Sequence, residues 1–150
     1  MTLKERITED MKKYMKEKNH MALDTVRMLK SEIKYVEIEE KGELDDAGVQ
    51  KVIATAVKKR KDAAQQYKDA GRDDLSEKEL KEAEILMAYM PEQMSAEEIT
   101  AVVRAACEGV DKSDKRNFGK VMQAVMSKVA GKAEGKVINQ IVKDVFDGNI

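Results

Sequence analysis

The chain has 150 residues, of which 42% are hydrophobic and 38% charged, and its 28 Lys and Arg side chains nearly balance its 29 Asp and Glu side chains. This composition is too apolar for a disordered chain, and there is no run of about 18 apolar residues that could span a membrane. The only cysteine, Cys107, cannot form an internal disulfide, and the charged N-terminus lacks the apolar segment of a secretion signal. We therefore expect a folded cytoplasmic protein that does not enter a membrane.

The first part of the chain shows helical periodicity behind recognisable capping residues. Helices are predicted to begin after Thr2 with Glu5, Asn19, Asp45 or Asp46, and Ser76 with Glu79. The second helix carries a narrow apolar seam suited to helix-on-helix packing, formed by Ala22, Val26, Leu29, Ile33 and Val36. The fourth helix is predicted to run through Met90 and to stop at Pro91, because the residue before a proline disfavours the helical region.

Three further helices are predicted after this proline. Ser95 and Glu98 form another capping box, Asp114 or Asn117 can open the next helix, and Gly131 can close it. No segment alternates with period two, so no strands are expected. The sequence thus predicts an all-α fold, with an N-terminal four-helix domain over residues 1–92 and a small three-helix C-terminal domain over residues 93–150.

Catalytic chemistry is hard to find in this sequence. Cys107 and His20 are the only residues of their kinds and fall in different predicted domains. We interpret Cys107 as a small core residue and His20 as a solvated residue at a helix start. Neither a phosphate-binding glycine loop nor a metal-ligand pattern is present. The sequence predicts no catalytic residue, no metal and no cofactor, and it leaves open whether the protein takes part in catalysis with a partner.

Positive charge gathers near the C-terminus, where residues 112–143 contain eight basic and two acidic side chains. Such a local excess on a nearly neutral chain indicates an anionic partner, and glycines allow backbone to come close to it. The predicted nucleic-acid-binding residues are Lys120, Lys128, Gly131, Lys132, Gly135 and Lys136, with Lys115 and Arg116 in second rank. Ordinary solubility is the alternative explanation. The denser run Lys58–Lys61 is either a solvated helix face or a second contact.

Four sequence blocks, in this order, resemble the YqeY family over essentially the whole chain. They are Arg27–Lys34, Lys58–Asp62 continuing to Glu79, Ile85–Gln93 with Ser95 to Ile99, and Gly119–Met122 with Gly131–Gly135. The resemblance implies an all-helical fold with a larger N-terminal and a small three-helix C-terminal domain. It also implies kinship with the C-terminal region of the B subunit of the glutamine-dependent aspartyl/glutamyl-tRNA amidotransferase, a region that holds tRNA while other domains carry out the chemistry.

Three functions follow as hypotheses. The first is a module that binds tRNA, or a tRNA-handling enzyme, through the C-terminal domain without catalysis of its own. The second is an accessory component of carbon–nitrogen ligation with glutamine as amide donor, active only with an amidotransferase partner. The third is a protein–protein interaction module without RNA binding, in which the apolar seam of the second helix and the methionines form the contact surface.

Overall fold

The computed structural model describes all 150 residues and contains seven helices and no strand. The all-helical prediction is confirmed. The helices are α1 (Leu3–Glu17), α2 (His20–Glu40), α3 (Asp46–Asp69), α4 (Asp73–Met87), α5 (Ala96–Ala106), α6 (Arg116–Val129) and α7 (Gly135–Phe146). The chain divides into two compact units, Met1–Met90 and Pro91–Ile150, so that α1–α4 lie in the first and α5–α7 in the second.

The first unit is built on a core in which all four helices take part. Its buried residues include Ile7 of α1, Leu29 of α2, Ile53 of α3 and Leu86 of α4. Along α2 the predicted seam residues Ala22, Val26, Leu29 and Ile33 are buried, because this face packs onto the neighbouring helices. The seam is therefore core, and it is not available as the contact surface that the interaction hypothesis requires.

Most of the predicted helix starts use the capping residues that the sequence indicates. The Thr2 hydroxyl accepts from the Glu5 amide while the Glu5 carboxylate accepts from the Thr2 amide, which completes a capping box. Asn19 and Asp45 cap α2 and α3 through their side-chain oxygens. Each bond satisfies an amide that has no partner within its helix.

The fourth helix differs from its prediction at both ends. It begins at Asp73, so Ser76 lies inside its first turn and is buried instead of capping it. Asp73 and Asp74 occupy the first turn, where acidic side chains interact favourably with the positive end of the helix dipole. The helix ends at Met87, three residues before the predicted Met90.

Tyr89 follows this helix and fastens the end of the unit to α1. Its hydroxyl donates to Asp10 Oδ2 at 2.6 Å, and the Arg6 guanidinium lies 4.9 Å from the ring centroid. Arg6 also donates to the Ala88 carbonyl oxygen at 3.1 Å. Burial and the bond to Asp10 raise the pKa of Tyr89 far above its usual range.

The second unit packs three short helices around valines and isoleucines. Val103 of α5, Val125 of α6 and Val142 of α7 are fully buried at its centre. The rings of Phe118 and Phe146 pack edge to face against this core with centroids 5.5 Å apart. Both rings are thus partly buried, by the core and by each other.

Candidate nucleic-acid interface

The loop between α6 and α7 is the most unusual stretch of backbone in the second unit. Ala130 and Gly131 both adopt left-handed conformations, with φ of 31° and 81°. The Lys132 amide then donates back to the Val129 carbonyl oxygen at 2.8 Å. A left-handed residue at a helix end favours glycine, because a Cβ crowds the following carbonyl there. Gly131 thus closes α6 as the sequence predicts.

The segment leading into α5 holds this loop in place. The Met94 amide donates to the Lys132 carbonyl oxygen at 2.8 Å. Gln93 Nε2 donates to the carbonyl oxygens of Gly131 at 3.1 Å and Pro91 at 2.9 Å. Because these carbonyls are occupied from one side, the loop has a defined backbone course. Sequence reasoning missed Gln93 and Met94, since their partners lie far along the chain.

Gly135 plays a different part from the one predicted. It is the first residue of α7, has no left-handed conformation, and a Cβ built there would meet only Met126 Cε, at 4.0 Å. The backbone therefore does not require glycine at this position. No side chain caps the first turn of α7, so its amides are oriented as the N-terminus of a helix presents them to an anion.

Three lysines spaced four apart bracket this turn. Lys128 lies in the last turn of α6, Lys132 in the loop, and Lys136 in the first turn of α7. All three side chains are exposed, and none of them takes part in an ion pair. The structure thus places positive charge on both sides of the left-handed turn and within it.

The predicted basic residues of α6 lie on neighbouring sides of the helix. Lys120 follows Arg116 by one turn on nearly the same side, whereas Lys128, eight residues later, is rotated by about a further 80° around the helix. Lys120 is exposed and has no ion-pair partner. Lys115 is exposed at the N-cap position and makes no capping bond.

Arg116 is already engaged with an acidic neighbour. Its Nη2 lies 3.1 Å from Asp114 Oδ2 and its Nε 3.2 Å from Asp114 Oδ1, which also accepts from the Arg116 amide. The guanidinium bonds hold the pKa of Asp114 below its usual range. This carboxylate offsets the Arg116 charge, so Arg116 contributes less to the basic surface than the lysines do.

The predicted binding residues do not include one basic residue of α7, although it was counted in the local charge excess. Lys143 lies seven residues after Lys136, two turns along the same side of the helix, and is exposed. The core of α7 faces the other way, through Ile138, Val142 and Val145. The helical spacing alone would have linked Lys143 to Lys136.

The remaining reactive side chains are not arranged for catalysis. Cys107 is buried, and desolvation raises the pKa of its thiol, which keeps it protonated and unreactive. His20 is exposed as the first residue of α2. No group of three or more His, Cys, Asp or Glu side chains is placed to hold a metal ion. None of the seven helices has the length and apolar character that crossing a membrane requires.

The basic run Lys58–Lys61 is divided by the fold of the first unit. Lys58 and Lys59 are exposed, but Arg60 is turned inward with its side chain only 8% accessible. Its Nε lies 3.4 Å from Glu82 Oε2 of α4, without hydrogen-bonding geometry, and its Nη2 donates to the Met28 sulfur at 3.2 Å. The run is therefore not a continuous basic surface.

The fold and the exposed lysines define a small all-helical protein whose C-terminal three-helix unit carries a local cluster of lysines. The chain belongs to the family of Yqey-like proteins, which it matches over residues 4–146.

Its curated relatives are fungal proteins. It is 30% identical over 143 residues to Altered inheritance of mitochondria protein 41, mitochondrial, of Pyrenophora tritici-repentis, which covers 93% of this chain and 78% of that protein. With the protein of the same name from Clavispora lusitaniae it shares 41% identity over 81 residues, or 54% of this chain and 47% of that one. The Uncharacterized protein C22F3.15 of Schizosaccharomyces pombe is 35% identical over 81 residues, covering 54% of this chain and 66% of that protein.

These names correct one expectation. The cytoplasmic location predicted from Cys107 and the N-terminal sequence is wrong by this comparison, because relatives from Pyrenophora tritici-repentis, Clavispora lusitaniae and Kluyveromyces lactis are named as mitochondrial proteins. The physical reason is that an unpaired cysteine fits any reducing compartment and does not distinguish among them.

Proposed function

We propose that the Pro91–Ile150 unit binds the phosphate backbone of a structured RNA of the tRNA class. The observation that carries the proposal is a set of exposed lysines without ion-pair partners, Lys128, Lys132 and Lys136. They lie around a left-handed turn whose backbone is held by a hydrogen bond from the Met94 amide. Lys120 and Lys143 extend this charge along α6 and α7. Lys115 and Arg116 contribute at the far end of α6, with Arg116 weakened by Asp114.

The chemistry of the unit favours phosphate contacts over base reading. The only two aromatic side chains of this unit are partly buried against its core, which disfavours base stacking as the main contact. Lysine ammonium groups bind phosphates as point charges and release condensed counterions. A structured RNA is recognised through its shape and backbone by contacts of this kind. Gly131 supports the proposal because it adopts the left-handed conformation of the turn. Gly135 supports it only because it has no side chain to shield the amides at the start of α7.

The protein acts in this proposal as an accessory module of two domains, four helices followed by three, without self-contained catalysis. Kinship with the tRNA-holding region of the amidotransferase B subunit supports a role beside a tRNA-handling enzyme. Glutamine-dependent amide transfer would need a partner that supplies the amidase and kinase chemistry. The buried, protonated Cys107 supports this division, because the chain offers no thiolate for glutamine hydrolysis.

A filter-binding assay with total tRNA across a salt series tests the proposal. Wild type should bind tRNA at low salt. A plot of log K against log salt concentration should fall with a slope of about 0.7–0.9 for each phosphate contacted. The Lys132→Ala/Lys136→Ala variant should bind more weakly and lose about one to two units of that slope. Lys12→Ala/Lys16→Ala, two exposed lysines of α1 with the same spacing, is the matched control and should bind as wild type does.

Two outcomes would overturn the proposal. Negligible retention of tRNA by wild type and the double variant alike would remove RNA binding. An equal loss in the α1 control would show that total charge, and not this turn, determines retention. The amidotransferase role has a separate readout: adding the protein to a purified tRNA amidotransferase should change the transamidation rate or form a complex. If neither effect is seen, the amidotransferase is not a partner, and the proposal of RNA binding still stands.

A further inference from the structure

One face of α2 carries four large apolar side chains that remain exposed in the folded chain. Met21, Met28, Tyr35 and Ile38 are 37%, 56%, 63% and 67% exposed. At 100° of rotation per residue, Tyr35 and Ile38 lie about 120° or more from each of the core residues Val26, Leu29 and Ile33, and Met21 and Met28 lie between that side and the core. Four of the ten large hydrophobic residues exposed in the protein therefore belong to one side of one helix.

The spacing of these four exposed residues is that of the contact face of a coiled coil, and this face is distinct from the buried seam of α2. Met21, Met28 and Tyr35 are seven residues apart, and Ile38 follows Tyr35 by three, so they take the a and d positions of a heptad. The other two d positions are Asp24 and Ser31. The 21 residues of α2 provide three heptads, a length of about 30 Å.

Charged residues flank the exposed face of α2, and the two flanks carry opposite signs. Arg27 and Lys34 occupy g positions on one side of it, and Glu32 and Glu39 occupy e positions on the other. None of these four residues takes part in an ion pair within the chain. A helix with one basic and one acidic flank is complementary to itself in one orientation only.

That orientation is parallel. In a parallel pair each g position faces the e position of the next heptad on the other helix, so Arg27 would meet Glu32 and Lys34 would meet Glu39 of the second copy. An antiparallel pair would bring g to g and e to e, and would set like charges against each other. The parallel pair would thus have four attractive charge contacts, whereas the antiparallel pair would have repulsive ones, and this difference favours the parallel orientation.

We propose that a second copy of this chain docks on α2, with the two α2 helices parallel across a two-fold axis. Tyr35, Ile38 and Met28 would supply most of the apolar contact area, because these are the most exposed apolar residues of this face. Asp24 would face its own copy in the first heptad and weaken that end. The interface is small, so the dimer is reversible and forms as the protein concentration rises. It does not depend on RNA binding.

Sedimentation velocity over a concentration series tests the dimer. The mean mass of wild type should rise toward that of two chains across a range from about 10 μM to about 1 mM, a span typical of a weak interface. Tyr35→Lys should stay monomeric over the same range. Leu80→Lys, the same change at an exposed apolar residue of α4, should associate as wild type does. Met28 is avoided because its sulfur accepts from Arg60.

Charge variants test the flanks. Glu32→Lys/Glu39→Lys alone and Arg27→Glu/Lys34→Glu alone should each remain monomeric, while their mixture should form a heterodimer because every facing pair is again opposite in sign. Circular dichroism should show wild-type helix content in every variant. A monomer at all concentrations, or association that Tyr35→Lys does not reduce, would overturn the proposal.

Cysteine crosslinking in a Cys107→Ser background tests the orientation. Ile38→Cys should form a disulfide-linked homodimer, since a parallel pair places position 38 of one copy beside position 38 of the other. Crosslinking only in mixtures of Ile38→Cys with Met21→Cys would show an antiparallel pair and contradict the proposal. Capture of tRNA without any self-association would contradict it as well, and would leave the RNA proposal intact.

Discussion

The amide of Met94 donates a hydrogen bond to the carbonyl oxygen of Lys132 at 2.8 Å. It joins the segment before α5 to the turn between α6 and α7, two stretches 38 residues apart in sequence. This bond and the bond from the Lys132 amide to the Val129 carbonyl oxygen hold the backbone of the turn, while the Lys132 side chain stays exposed. The shape of the candidate interface therefore depends on residues that carry no charge.

Gln93 offers a direct test of this dependence. Replacing it with alanine removes the side-chain bond to the Gly131 carbonyl oxygen while leaving all lysines in place. We expect Gln93→Ala to weaken tRNA retention by a factor of up to about five, the equivalent of one net hydrogen bond of about 1 kcal/mol. Asn149→Ala, at an exposed and uncharged position of the same unit, is the control. Unchanged affinity for Gln93→Ala would mean that the turn keeps its shape without this contact.

The two glycines of the turn should respond in opposite ways to alanine. Gly131 has φ of 81°, so Gly131→Ala should lower the free energy of unfolding by about 1–2 kcal/mol. Gly135 begins a helix in open space, so Gly135→Ala should raise it by about 0.5 kcal/mol. Urea denaturation followed by circular dichroism measures both. Equal losses in the two variants would contradict the different roles assigned to them.

Tyr89 should make the stability of the first unit sensitive to alkaline pH. Because its pKa is raised in the folded state, its contribution is complete below the unfolded pKa of about 10 and is lost as pH rises above it. Wild type should then lose up to about 1.4 kcal/mol per pH unit relative to Tyr89→Phe. At neutral pH that variant should instead be less stable by about 1 kcal/mol, since the bond to Asp10 is absent. Parallel stability profiles of the two proteins above pH 10 would refute this assignment.

Arg60 should be structural in spite of its place in a basic run. Arg60→Ala should cost about 2–4 kcal/mol, because it leaves a cavity and removes the counter-charge of Glu82. Lys58→Ala, at an exposed position two residues away, should stay within about 0.5 kcal/mol of wild type. The pair Arg60→Met/Glu82→Leu should recover most of the loss. Thermal unfolding of wild type and the three variants measures these losses of stability. A loss for Arg60→Ala as small as that for Lys58→Ala would disprove the structural role.

Cys107 should be unreactive until the second unit opens. Burial raises the pKa of its thiol and blocks access, so a disulfide reagent at neutral pH should label it far more slowly than a free peptide thiol. Labelling should become fast in urea at the concentration where the helical signal of the unit is lost. Rapid labelling of the native protein would show a mobile α5 or an accessible thiolate, and would reopen thiol catalysis.

Local signals in the sequence were sufficient for the helices and most of their starts. Thr2, Asn19, Asp45 and Ser95 cap helices, and each accepts from an amide only three residues later in the sequence. Ser76 failed as a start signal because acidic residues ahead of it begin the helix and tertiary packing buries it. Capping patterns thus locate a helix, but burial decides between neighbouring candidates.

The candidate site was predictable in composition and not in geometry. The lysines and their exposure follow from the local charge excess, and the engagement of Arg116 could have been read from Asp114 two residues before it. The fixing of the turn by Gln93 and Met94 could not, since those bonds join distant parts of the chain. Arg60 was misleading for the same reason, because its counter-charge Glu82 lies on another helix.

The inward guanidinium of Arg60 has a practical consequence for anyone who sets out to map where this protein meets RNA. Neutralising the whole Lys58–Lys61 stretch at once is an obvious first experiment on the densest basic segment. Such a variant would destabilise the first four helices through the loss of Arg60, and a resulting loss of retention could not be assigned to a lost contact. Only Lys58 and Lys59 report on the surface there, and they should be changed without their neighbour.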